Sequence, residues 1–390
     1  MSTFSRMRTV SSPAMEPPLV GKSRTGSRTS RRSIFGVAFT CLLLAFPTGA
    51  TTFKIATLSP AGSTWMNILR AAAEEVDAAT EGRVSFRFYP GGAMGDDWAV
   101  LRKIRAGQLH GGVVTTTVFN RIYSDVQLYN LPLIFRDLSE VDAVRAQLDR
   151  VLLAGMERNG FVAFGIAEVG MAYAMSRRPA ATLQAMRRAK VWSPEGDISV
   201  ARALDTFGIA PIPLTVVDVL PGLQTGLIDT VASPPVAAVA LQWHTQLDYV
   251  LDIPLMYVYG LLAVSERRFR RLSDADAAAV RRILGNAVAE ADRRNRGDHD
   301  ATMQVLISQG LKLETPAPDE LANWRRLGKQ AEVRWVREGI ISDGLYRQLV
   351  AALAAARGTA ATVTAPDASS SVARGRSGAP ARRIGRASRR

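Results

Sequence analysis

Few residues of this chain are spaced for catalysis. Its three histidines, His110, His244 and His299, lie far apart, and none stands in an HxxxH or HxxE metal-ligand spacing. Asp96 and Asp97 are adjacent, so their side chains diverge on a turn, and nothing pairs either with a second carboxylate for acid–base work. No GxSxG, Walker A or GxGxxG run occurs in the setting that gives it meaning. What the chain offers is binding chemistry. In AKVWSPEGD (Ala189–Asp197) an extended run carries Trp192 to a turn made by Pro194 and Gly196, where an aromatic side chain either fills the core or faces a ligand. In Ser233-Pro234-Pro235 a serine precedes a proline-started helix, which sets free backbone N–H groups beside a hydroxyl; a polar or anionic ligand could dock there, or Ser233 could only cap.

These side chains need a frame. Phe53 to Leu58 reads as a short apolar strand broken by Ser59-Pro60-Ala61-Gly62, and Met66, Leu69, Ala73 and Val76 then recur at helical spacing. Val84 to Pro90 alternates as a second strand, GGAMGDD turns into a helix over Trp98 to Ala106, and Gly111 to Thr115 is a third strand. A βαβαβ order implies a parallel sheet with crossover helices. Ligands of such sheets sit outside the carboxyl ends of the strands, where Ser59, Asp97 and Thr115 fall.

A second α/β unit follows. Gly160–Ala167, Met171–Ser176, Lys190–Ser193 and Leu227–Ala232 read as strands, with a short extended run at Ala210–Leu214. One helix runs through Ala201, Leu204 and Phe207, and another through Val219 and Leu223 to Gly226. The last third is helical: a long helix from Ser273-Asp274 through Val280, Ile283 and Val288, then Glu320–Glu338 and Gly344–Ala356.

The formal charge of +14 suggests nucleic acid until it is located. Residues 1–50 and 366–390 each carry a net +6, which leaves +2 for the body between them. That body has no basic stripe interleaved with aromatics, so nucleic-acid binding is not expected. Arginines, the apolar run Ile34–Phe46 and then small residues up to Ala50 have the layout of a secretory signal, so residues 1–50 are expected to be a signal peptide with a basic N-terminal extension. Ser30–Phe35 matches a twin-arginine signal only loosely, and the ordinary Sec reading is preferred. The one cysteine, Cys41, lies inside this segment, so the mature chain is expected to use neither disulfides nor thiol chemistry. The Ala-, Ser-, Gly-, Pro- and Arg-rich segment 359–390 lacks the apolar content to fold and reads as a disordered tail. Two exported α/β lobes with a cleft between them point to a binding protein.

Several stretches in register carry a more specific resemblance. Phe88–Asp97 (FYPGGAMGDD), Leu128–Phe135 (LYNLPLIF), Lys190–Pro194 (KVWSP) and Leu223–Pro235 (LQTGLIDTVASPP) occur in order, with a long helix after LSDAD. Over about Phe53 to Ala356 the chain resembles the extracytoplasmic solute receptors of tripartite ATP-independent periplasmic (TRAP) transporters, the DctP-like family. The resemblance implies an α/β, two-lobed periplasmic binding protein fold with crossing strands and a long connecting helix. Lobe one would be 53–169 plus 259–298, and lobe two 170–258 plus 299–356. It also implies a periplasmic receptor, not an enzyme, that traps a small organic acid and hands it to the small and large membrane subunits of a permease driven by an ion gradient. The membrane would be touched only through that permease, and no cofactor or resident metal is expected. A ligand-sensing module without transport and a secreted enzyme are the alternatives.

The family motif carries a carboxylate-binding arginine where this chain has Trp192, and a second ligand-contacting arginine of some members would fall near Ala172. Tryptophan offers one N–H and no charge, so the usual carboxylate clamp is missing. The resemblance places Trp192, Glu195, Asp97 and Thr115 at pocket positions, brings Tyr257 near another, and lets Tyr173, beside Ala172, face the cleft; Ser233 completes the candidate ligand-binding set. Trp243 and His244 are expected to pack or to meet a partner. An aromatic pocket with acidic edges suits a neutral polar, aromatic or cationic ligand, and a metal ion on Glu195 or Asp97 bridging to a carboxylate is the other reading.

Overall fold

Strand β1 (Thr51–Thr57) lies between two parallel neighbours, β2 (Val84–Tyr89) and β3 (Gly111–Thr115), as the βαβαβ order requires. The computed structural model describes residues 50–364. The expected signal segment, and the tail from residue 365 on, lie outside these residues. Helix α1 (Thr64–Ala79) joins β1 to β2; the Ser63 hydroxyl caps it by accepting from Met66 N–H, and Met66, Leu69, Ala72 and Val76 form its buried stripe. Helix α2 (Asp97–Arg105) joins β2 to β3.

After α3 (Leu138–Arg158) the chain enters β4 (Phe161–Ser176). The two strands expected here are one. Its register against its partner shifts after Ala163 and after Glu168, and Gly165 (φ 158°) and Gly170 (φ 126°) absorb the bulges. At Gly165 a Cβ would stand 2.8 Å from the Val288 side chain, so the glycine also admits a helix close to the strand.

The second α/β unit comprises α4 (Leu183–Arg188), β5 (Val191–Pro194), α5 (Ile198–Phe207), β6 (Pro211–Leu214), α6 (Val219–Thr225), β7 (Thr230–Ser233), α7 (Pro235–Ala240) and β8 (Tyr249–Leu251). The strand expected at Leu227–Ala232 starts later, because Gly226 (φ 69°) ends α6 in the left-handed conformation and Leu227 to Asp229 complete the turn. Strand β9 (Met256–Ser265) then returns antiparallel to both β3 and β4. Last come α8 (Glu266–Phe269), α9 (Asp274–Ser308), β10 (Lys312–Glu314), α10 (Pro318–Arg337) and α11 (Asp343–Thr364).

The strand order β2-β1-β3-β9-β4-β7-β5-β6 has two parallel wings joined by the antiparallel pair β9 and β4, while β8 and β10 branch from the end of β4. β4 pairs with β9 as far as Ala172 and with β7 from Tyr173, so one strand belongs to both wings. Adjacent residues of β4 enter different cores: Phe161 and Val162 in one wing, Ala174 and Met175 in the other. The 35-residue helix α9 packs along β4, against α1 of one wing and α7 of the other. The structure therefore has the expected two-lobed α/β architecture.

The C-terminal helices depart from expectation. α10 packs on α4 and α5 of the second wing, but α11 returns to α3 of the first, where Ile341, Leu345, Leu349 and Leu353 join the core. Arg357 fixes it there with two bonds to the buried Glu140 carboxylate, at 2.8 and 2.9 Å. The expected range of lobe two thus includes a helix seated on the first wing, since apolar residues on α11 and α3 complete each other's core. The same helix runs to Thr364, past the expected start of the tail at 359.

Candidate functional site

The carboxyl ends of β1, β3, β5, β6 and β7 converge on one cavity of about 540 Å³, to which they contribute Thr57, Thr115, Pro194, Leu214 and Ser233. Both wings thus line it, as parallel strand ends in α/β sheets do. Val258 and Tyr259 of β9, Ala167 of β4 and Asn295 of α9 add the central strands and the long helix. Five of the six tryptophans of the chain line the cavity: Trp65, Trp98, Trp192, Trp243 and Trp335.

Asp97 lies at the end of β3. Its Oδ2 accepts the Thr115 backbone N–H at 2.9 Å and the Thr115 hydroxyl at 2.8 Å. The cap of α2 is not Asp97 but Asp96, whose Oδ1 accepts from Ala99 N–H at 2.7 Å; that frees Asp97 to turn toward the sheet. Asp97 is 9 % exposed and no cation pairs with it among the described residues, so burial pushes its carboxyl up to about 6. As the first residue of α2 it also faces the positive end of the helix dipole, which favours its charged form.

Trp192 does two things at once. It is 7 % exposed, its Nε1 donates to Leu214 O at 3.0 Å, and its ring meets Trp243 edge to face at 5.2 Å, so it packs; it also lines the cavity. Trp243, expected to pack or to meet a partner, packs on Trp192 and also lines the cavity, whereas His244 pairs its Nδ1 with Ala238 O. Glu195 is exposed at the cavity wall, and Ala172 contributes no side chain to it.

Ser233 lines the cavity but caps nothing. Its buried hydroxyl donates to Pro234 O, Pro234 holds the cap position, and α7 is six residues long. Tyr173 and Tyr257 are not among the lining residues. Tyr173 is half-buried against apolar residues of both wings. Tyr257 is fully buried; its hydroxyl donates to Glu168 Oε2 at 3.1 Å and accepts from Arg145 at 3.0 Å, and burial raises its phenol well above the ordinary value.

That tyrosine belongs to an ionic network where the crossing strands meet α9. Arg145 binds Asp149 at 3.1 Å and Asp292 at 3.0 Å, and Arg296 clamps the fully buried Glu168 and reaches Asp142 at 2.7 Å. Asn295 donates to Glu168 O at 2.6 Å while lining the cavity, so the network adjoins the site.

Four contacts cross from wing to wing at the cavity. Trp98 Nε1 donates to Glu195 O at 2.7 Å, Thr117 Oγ1 to Asp197 Oδ2 at 2.7 Å, Ser199 Oγ to Gln127 Oε1 at 2.6 Å, and Asn120 Nδ2 to Gly196 O at 3.5 Å. Gly196 (φ 76°) permits this turn, since a Cβ there would lie 3.1 Å from the Trp98 ring. Asp197 also caps α5 by accepting from Val200 N–H at 3.0 Å, and burial raises its carboxyl. A second, apolar cavity of about 80 Å³ lies in the second wing, lined by Met186, Phe207 and Trp324 and sharing Asn130 and Trp335 with the first.

Sequence reasoning missed Trp65, Trp98, Trp335, Gln127, Asn130 and Asp197 as lining residues. Trp98 had a signal, following the turn acids at the head of α2; Trp335 and Gln127 come from distant elements and had none. Among the described residues, no group of three or more His, Cys, Asp or Glu side chains is arranged to hold a metal, and no helix is long and apolar enough to cross a membrane.

The statistical model of the family described as bacterial extracellular solute-binding protein, family 7, matches residues 55–335. The chain is 22 % identical over 276 residues to a sialic acid-binding periplasmic protein of Vibrio cholerae, covering 68 % of this chain and 84 % of that protein. Its fold superposes on an extracytoplasmic solute receptor of Bordetella pertussis that binds pyroglutamic acid, with a TM-score of 0.71, 17 % identity, and coverage of 78 % and 100 % of the two chains. The sugar acid binding protein of Advenella mimigardefordensis, solved with galactonate, gives a TM-score of 0.72 at 15 % identity, covering 79 % of this chain and 99 % of that one.

Proposed function

Because the chain belongs to family 7 of the bacterial extracellular solute-binding proteins, and is thus a solute-binding receptor, we propose that it serves a TRAP transporter in the periplasm: it closes on a small organic solute and delivers it to the membrane subunits for ion-gradient-driven uptake. The observation that carries this reading is the cavity itself. It is large enough for a small metabolite, is walled by strand ends of both wings, and is bridged by hydrogen bonds that opening of the wings would break. The lobes that close would be 53–169 plus 259–298 and 170–258 plus 299 to the end of α10, with α11 carried by the first. Only β4, β9, α9 and the α10–α11 link would bend. No chemistry on the solute is part of the proposal.

Mass spectrometry of the solute that co-purifies, followed by its uptake into proteoliposomes bearing the cognate membrane subunits, tests this. Uptake that requires the receptor supports it. Conversion of the solute by the receptor alone would make it an enzyme, and binding without uptake would make it a sensor.

A further inference from the structure

The charge of the cavity points away from a carboxylate. No lysine, arginine or histidine is among its lining residues, but Asp96, Asp97, Glu195 and Asp197 are. A carboxylate solute would leave water, gain no ion pair, and meet like charge. Neighbours solved with pyroglutamic acid and galactonate show that the fold accepts acids, whereas the wall of this cavity carries Trp192 and four acids and no basic side chain among its lining residues.

The four acids are not equivalent. Asp96 caps α2. Both oxygens of Asp197 are taken, one by Val200 N–H and one by the Thr117 hydroxyl. Glu195 is exposed. Asp97 alone is nine-tenths buried with one oxygen unengaged: Oδ2 holds both Thr115 donors, while Oδ1 accepts nothing and no basic side chain pairs with the group among the described residues. A buried carboxylate on the wall of a ligand cavity, lacking a cation of its own, is a receptor for one. The same cavity is lined by five indole rings, whose faces attract ammonium groups and whose area suits an apolar body.

Resting on the receptor reading above, we infer that the solute of this cleft is an ammonium-bearing molecule with an aromatic or aliphatic body, its cation held by the free oxygen of Asp97 and its body stacked among the tryptophans. Specificity then comes from the charge of the wall: an amine is drawn in, and the matching acid is refused.

The test uses two trios of probes that share one body and differ in charge: tryptamine, tryptophol and indole-3-acetate, then 2-phenylethylamine, 2-phenylethanol and phenylacetate. Each is titrated by calorimetry into the full chain and into Asp97→Asn. The expected result is that in at least one trio the amine binds about tenfold or more tighter than the alcohol, that the acid does not bind, and that Asp97→Asn removes the preference for the amine. Thermal melting of the variant confirms that it folds. An acid that binds as well as its amine, an amine whose affinity survives Asp97→Asn, or no binding by either trio would overturn the inference. Failure here is separable from failure of the receptor reading: an anionic solute that co-purifies and is taken up would sink this inference alone, whereas a chain that retains no solute and supports no uptake would sink both.

Discussion

The Asp97 carboxylate accepts both donors of Thr115, the backbone N–H at 2.9 Å and the hydroxyl at 2.8 Å, and so ties the first turn of α2 to the end of β3 at the edge of the cavity. The pair holds the acid where burial disfavours its charge. A carboxyl whose folded value lies above its unfolded value contributes stability that is complete below the unfolded value and lost as pH rises through the folded one. For Asp97 that window runs from the ordinary 3.8 to about 6. Asp96 beside it pushes the same way, and Asp197 and Glu195 line the same cavity. Asp97→Asn should therefore match the native chain at pH 4 and exceed it at pH 7 by up to roughly 3 kcal/mol. Urea midpoints at the two pH values measure this, and an equal offset at both would exclude it.

Solute affinity should move the opposite way. If a cation binds the ionised Asp97, its affinity falls as pH drops through about 6, because protonation removes its partner. Calorimetry with a bound amine from pH 5 to 8 reads this directly, and a flat profile would contradict it.

The turn over the cavity governs closure. Gly196→Ala puts a methyl group against the Trp98 ring in a backbone conformation that L residues avoid, at a cost of about 1 kcal/mol or more in the closed form. Trp98→Phe removes the bond to Glu195 O, a loss of roughly 1 kcal/mol. Both should weaken solute binding up to about tenfold and leave the solute-free melting temperature of Trp98→Phe nearly unchanged. Small-angle scattering of the loaded variants should show a larger open fraction.

Arg296→Met should be far more damaging than loss of a surface arginine. It strands the fully buried Glu168, and breaking such a pair from one side costs roughly 3–5 kcal/mol. Arg282→Met, which removes an ion pair whose partners are both more than half exposed, should cost at most about 1 kcal/mol. Chemical denaturation of the two variants side by side decides whether the network at the crossing strands carries this weight.

Trp192→Arg puts a fixed positive charge on the cavity wall. It should lose the packing on Trp243 and the bond to Leu214, lowering stability by roughly 3 kcal/mol. It should also give indole-3-acetate a foothold that the native cavity denies. Absence of any gain in acid binding would show that the charge of the pocket is set elsewhere.

The sequence revealed the frame more readily than the orientation of side chains. Periodicity located the parallel strands and their helices, because each buries one stripe or one face and repeats it. β4 looked broken because Glu168 and Gly170 interrupt its apolar run; the glutamate is paired with Arg296, 128 residues away, which no local pattern records. Trp192, Glu195, Asp97, Thr115 and Ser233 all reach the cavity wall, while Tyr173 and Tyr257 do not, since facing on a bulged crossing strand cannot be counted by twos. Ser233 before two prolines resembled a cap, yet its hydroxyl turns to Pro234 O. The resemblance implied a second-lobe place for α11, whose apolar stripe instead packs on α3 of the first wing.

Five of six tryptophans stand around one cavity, and the sixth borders the chamber behind it. The ultraviolet emission of this protein is therefore almost wholly a signal from its binding cleft. Filling or opening that space changes the polarity felt by nearly every emitter at once, so the receptor is its own optical sensor and needs no attached dye.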